Sequence, residues 1–170
     1  MEKSAIIEIL REMNIVDEYI ALSKKHQIPI KELFKNHDND RIIEIIQSKG
    51  YDVTYNKTEN FFKISYPKYN NARFQMNLIL KSGMVDIVWC VWWKDQILTG
   101  VPMSMLIETV SEKEIPTIRP LFKDYADLDR ILTRVFKLAD VFIEKLKSQV
   151  DNYKSVNDGI ILEMRRNENE

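Results

Sequence analysis

The sequence predicts an α+β fold with N-terminal helices, a central antiparallel meander of about four to five strands, and a long C-terminal helix packed on the apolar sheet face. Three observations carry this. Apolar residues recur at helical spacing through residues 1–50 and again through 127–147. Between them, over 51–101, the apolar period drops to two. Counting outward from Ser82-Gly83 as a two-residue turn then sets apolar residues opposite one another at every second position. The expected organisation is a single domain spanning 1–170: 1–50 helical, 51–101 sheet, 102–150 an irregular segment plus the long helix, and 151–170 a partly frayed tail.

In chain order, Ala5, Ile6, Ile9, Leu10 and Met13 follow a Ser4 cap, and Asn14 breaks the pattern before Val16, Tyr19 and Ile20 resume it. Pro29 suits a first helical turn, with Leu33 and Phe34 as its buried pair. Asp38-Asn39-Asp40 offers a cap to a helix carrying Ile42, Ile43, Ile45 and Ile46, which Gly50 ends in a left-handed conformation.

The turn at Ser82-Gly83 pairs Leu80 with Val85, Leu78 with Ile87, Met76 with Trp89, Phe74 with Val91 and Ala72 with Trp93. Carried through a loop at 67–71, the pattern sets Tyr66 opposite Ala72, Ile64 opposite Phe74 and Phe62 opposite Met76. A loop at 56–59 then sets Val53 opposite Phe62 and Tyr51 opposite Ile64, with Asp52 and Lys63 as an ion pair on the other face. A short fifth strand is expected near 97–101, and 103–110 reads equally as helix or edge strand. Pro116 and Pro120 mark an irregular passage. The long helix, over 127–147, places Leu128, Ile131, Leu132, Val135, Leu138, Ala139, Phe142 and Leu146 on one stripe.

Composition excludes several classes of function. Lys plus Arg (25) balances Asp plus Glu (26) to a net charge of -1, which lacks the electropositive field of a dedicated nucleic-acid binder. The four glycines, at 50, 83, 100 and 159, are too scattered for a dinucleotide fingerprint or a phosphate loop. Cys90 is the one cysteine, so no intramolecular disulfide or multi-cysteine metal site is expected, and a reducing, cytoplasmic setting fits. No apolar run approaches the roughly 18 residues of a membrane span, and Glu2 and Glu8 interrupt any secretory signal core.

Chemical constellations are sparse. His26 and His37 lack metal-ligand spacing and read as surface histidines near helix ends. Asp38-Asn39-Asp40 lacks the Gly and Glu of a calcium loop, their places being held by Ile43 and Lys49. Cys90, with no histidine near in sequence, reads as a small hydrophobe. Asp124, Asp127 and Asp129 read as caps and dipole partners of the long helix. No cofactor and no metal is expected.

The register also defines a second sheet face of mixed character. Trp92, Arg73, Gln75, Asn77, Phe61, Lys63 and Asp86 fall on it, with Arg73 opposite Trp92. Two readings follow: either a helix or the C-terminal tail covers this face, or it receives a partner. The second makes the chain a non-enzymatic protein-binding module, by analogy with bacterial immunity or inhibitor proteins whose partner is a toxin, and a homodimer through the same face is the variant. The alternatives are a metal-dependent enzyme built on Asp86, or a DNA-binding regulator with a helix-turn-helix over 21–35. Against the latter, Lys31 and Lys35 are offset by Glu32, and residues 1–50 are net acidic.

Overall fold

Asn14 turns the first corner of the chain. Its backbone is left-handed (φ 53°), which asparagine tolerates better than most residues, and it separates α1 (Lys3–Glu12) from α2 (Ile15–Lys25). The structure, a computed structural model, describes residues 1–115 and 118–167, with side chains through Tyr153. Ser4 lies inside α1 and caps nothing; Glu2 holds the cap position without a side-chain hydrogen bond.

The helix-turn-helix expected over 21–35 is not formed. Ile30–Glu32 make a single 3-10 turn flanked by extended Pro29 and Leu33, and Ile30 is 79% exposed. One turn is too short to lie in a DNA groove as a recognition helix. Leu33 and Phe34 are half-buried. α3 (Asn39–Ser48) begins where the Asp38 side chain accepts from Asp40 N–H at 2.9 Å, and Gly50 follows it at φ 87°.

β1 (Asp52–Asn56), β2 (Phe61–Ser65), β3 (Ala72–Lys81), β4 (Met84–Trp93) and β5 (Gln96–Pro102) form one antiparallel sheet in chain order. The β3/β4 register is the predicted one, residue for residue. Ser82 and Gly83 both take positive φ (51° and 75°), as a two-residue turn between twisted strands requires. Gly83 meets a second demand: a Cβ there would lie 2.9 Å from Phe34 N and 3.0 Å from Phe122 O. Those backbones close on the hairpin tip, Phe34 N–H donating to Phe122 O and Phe122 N–H to Gly83 O.

The outer pairings differ from expectation by two residues. Ile64 faces Met76 and Phe62 faces Leu78; Val53 faces Ile64, and Lys63 faces Thr54 instead of Asp52. The turns explain both shifts. Tyr69 and Ala72 exchange both backbone hydrogen bonds, making a tight corner of their own ahead of β3. Asn56 accepts from Thr58 and Glu59 N–H, and left-handed Asn60 returns the chain one position later than expected. An even shift leaves every side chain on its predicted face.

The fifth strand is present and longer than expected, joined to β4 by Lys94-Asp95, both at positive φ, with a bulge between Val91 and Trp92. Residues Met103–Ser111 are helical (α4), which settles the ambiguous segment. Pro116, in the expected irregular passage, lies outside the described residues. Residues 119–122 then run beside the start of β4, where Val85 N–H donates to Pro120 O.

α5 (Tyr125–Asn167) is twice the expected length, its backbone helical well past Lys147. The chain offers no proline after Pro120 and only Gly159 as a breaker. The sequence patch at 160–162 lies beyond the described side chains. Among the described residues no helix is long and apolar enough to cross a membrane.

α1, α2, α3, α4 and α5 all contribute to the core that covers one side of the sheet. Phe142 of α5 meets Phe74 of β3 and Trp89 of β4 with ring centroids 5.3 and 5.1 Å away, and Phe136 stacks on Tyr51 at 4.1 Å. Val53, Phe62, Ile64, Met76, Leu78, Val85, Ile87 and Val91 complete the sealed face. Phe142→Ala is expected to lower unfolding free energy by about 3–5 kcal/mol in urea denaturation, because the rigid β3/β4 pair cannot collapse into the space left.

Candidate functional site

Residues of opposite parity stand on the other side of the sheet. Arg73, Gln75, Asn77 and Ile79 alternate with the buried positions of β3, and Asp86, Val88, Cys90 and Trp92 with those of β4. The register lays them out in rows across the strands. One row is Arg73, Trp92 and Ile97; the next is Asp52, Ser65, Gln75, Cys90 and Gly100; the next is Thr54, Lys63, Asn77, Val88 and Pro102. Asp86 and Ile79 form the last, with Phe61 one position beyond Phe62 on β2. All seven residues expected on this face are on it.

The face is open. Arg73, Lys63, Ser65 and Gly100 are exposed, and Ile97 is 59% exposed, so no described helix lies across it. Rows two residues apart and strands side by side make a platform of about 20 Å by 20 Å, near 400 Å². That is about half of one partner's share in a standard protein interface, so a protein would cover the platform and part of its rim.

Its chemistry changes from one end to the other. The Arg73 guanidinium lies 4.1 Å from the Trp92 ring centre. The indole in this cation–π pair is half-exposed. Ile97, which sequence reading did not assign to the site, lies over Gly100: a Cβ there would sit 2.8 Å from Ile97 Cδ1. In the middle, the Gln75 amide donates to Asn77 Oδ1 at 2.7 Å. Lys63, freed from its expected pairing with Asp52, faces Thr54 and Asn77.

Asp86 at the far end is committed. Arg119 Nε donates to its Oδ2 at 3.1 Å, and its own neighbour Ile87 donates backbone N–H to Oδ1 at 3.1 Å. Its ion-pair partner Arg119 comes from a loop whose sequence has no readable period. Among the described residues no group of three His, Cys, Asp or Glu is placed to hold a metal ion.

Cys90 is buried at the centre of the platform, and burial pushes its thiol pKa up. It therefore stays protonated at neutral pH, the inert form.

The histidines depart from expectation. His26 is buried, not superficial: its Nδ1 lies 3.2 Å from Asp127 Oδ1. Asp124 does cap α5, accepting from Asp127 N–H at 2.7 Å, but Asp127 is itself buried and binds His26 and Arg130. Asp129 pairs with Lys49 at 2.7 Å. His37 is half-buried against Phe122, and burial lowers its pKa.

Comparison with protein-family models, curated proteins and solved structures finds no match to this chain. The fold and site define an α+β protein with one sealed and one open sheet face.

A double-mutant cycle on Arg73→Ala and Trp92→Ala is expected to give a coupling of about 0.5–1 kcal/mol in urea denaturation. Each single change is expected to cost no more than about 1 kcal/mol, as for surface positions. A loss above about 3 kcal/mol for Trp92→Ala would mean the residue is packed as core.

Proposed function

We propose that this chain is a non-enzymatic protein-binding module that engages a partner protein with its open sheet face. The observation that carries the reading is the exposed Arg73–Trp92–Ile97 row. Arginine and tryptophan are enriched among residues that dominate binding energy, and a tryptophan held in place by a neighbour loses little freedom on docking. Ile97 supplies apolar surface beside them that the folded chain leaves in water.

Charge indicates the partner's character. Lys63, Arg73 and Lys81 outnumber Asp52 among the exposed charges of this face, while Asp86 is neutralised by Arg119. A surface with an apolar knob rimmed by Asp and Glu complements it. A symmetric dimer through the same face brings two sets of these cations into proximity, which favours a different protein over a second copy. The inhibitor or immunity type, with a toxin as partner, is the member of this class that suits a small chain presenting a preformed face; it rests on analogy of architecture.

Photo-crosslinking tests the reading. With a photoreactive amino acid at position 97, the expected product in cells is a defined adduct with one acidic protein. That protein, purified, is expected to bind the native chain and to lose at least about 30-fold in affinity with Arg73→Ala plus Trp92→Ala at unchanged melting temperature. Affinity unmoved by the double substitution, or adducts only with a second copy, would overturn it.

A further inference from the structure

A second site stands on the helical side of the molecule. α2 and the first turns of α5 flank a cleft of about 370 Å³, and His26 is part of its wall. Three hydrogen bonds fix this histidine. Its N–H donates to Leu22 O at 3.2 Å, its carbonyl accepts from Leu121 N–H at 2.8 Å, and its ring faces Asp127 through Nδ1. A carboxylate only accepts, so Nδ1 carries a proton and donates it to Asp127. Nε2 is left as the one polar ring atom without a protein partner, on a side chain 93% buried that lines the cleft.

The rest of the wall mixes apolar and charged side chains, the cations outnumbering the acids. Lys25, Arg130 and Arg134 line it, against the carboxylates of Glu18 and Asp127. Each carboxylate occupies one nitrogen of one arginine: Arg130 Nη2 donates to Asp127 Oδ1 at 3.1 Å, and Arg134 Nη2 donates to Glu18 Oε2. A guanidinium has five N–H donors, so these contacts orient both groups and leave most donors free. The formal charges of Lys25, Arg130, Arg134, Glu18 and Asp127 sum to +1, which an anion balances.

We propose that this cleft binds a phosphate group, free or carried by a small metabolite, held by His26 Nε2 and the free donors of Arg130 and Arg134, with Lys25 alongside. Two guanidinium forks supply the donors and the imidazole Nε2 a further hydrogen-bonding atom on the same cleft, which suits an oxyanion with several oxygens. Phosphate presents both P–O⁻ and, as the monoanion, P–OH, so Nε2 finds a hydrogen-bonding partner whether or not it carries a proton. The volume exceeds that of phosphate alone, and Ala21 and Leu22 give the remaining space an apolar wall for a short carbon body. The proposal does not depend on the open sheet face having a partner.

Calorimetric titration at constant ionic strength tests this, with inorganic phosphate and glycerol 3-phosphate as probes. Saturable binding is expected, about tenfold weaker in each of two variants at unchanged melting temperature. His26→Asn keeps an N–H for Asp127 and removes Nε2. Arg130→Gln alters a side chain that is 60% exposed, so it tests the site even where His26→Asn fails to fold. Tighter binding of glycerol 3-phosphate identifies a phosphorylated metabolite as the occupant, and equal or weaker binding identifies free phosphate. Absence of saturation by about 10 mM, or folded variants that bind as the native chain does, would overturn the proposal.

Discussion

Phe142 of α5, wedged against Phe74 and Trp89 of the two central strands, seals one face of the sheet, and much of the remaining architecture depends on that seal. Successive strand residues point to opposite sides. Once Phe74, Met76, Trp89 and Val91 are committed to the helical layer, Arg73, Gln75, Cys90 and Trp92 have to stand on the other side. The open face is thus the geometric consequence of the core, and its residues are free to be chosen for something other than stability.

The ion pairs between elements orient the helices more than they stabilise them. Arg134 with Glu18, Lys145 with Glu12, Arg11 with Glu112 and Lys49 with Asp129 tie the helical frame together at half-exposed positions. Pairs of this kind typically contribute about 0–1 kcal/mol each. The buried His26–Asp127 pair is of a different sort, because its partners have left water and depend on each other for hydrogen bonding. This histidine also lines the cleft between α2 and α5.

Much of the fold was legible in the sequence, for reasons that also explain the errors. Gly83 marks the β3/β4 turn, and the ten-residue strands on either side repeat a period of two often enough to fix the register. Asn56, Asn60 and Asn70 turn the chain just as sharply without a glycine, so the neighbouring registers were misjudged. The misjudgement was by two residues, which changes partners but not faces, and this is why all seven expected face residues are found together while the Asp52–Lys63 pairing is not. Lys94-Asp95 hid the start of β5 and with it Ile97. His26 and Arg119 were unreadable for another reason: their partners, Asp127 and Asp86, lie far away in the chain, and charge pairs over such separations leave no local pattern.

The central claim is that Trp92 stands in water on an open face while Trp89, three residues earlier in the same strand, is sealed in the core. Hydroxyl-radical footprinting of the free protein, read by mass spectrometry, tests it most directly. The account predicts oxidation at Trp92, Ile97 and Phe61, with Trp89, Phe74 and Phe142 protected until the protein unfolds. Protection of Trp92 equal to that of Trp89 would show the face to be covered and would contradict the account.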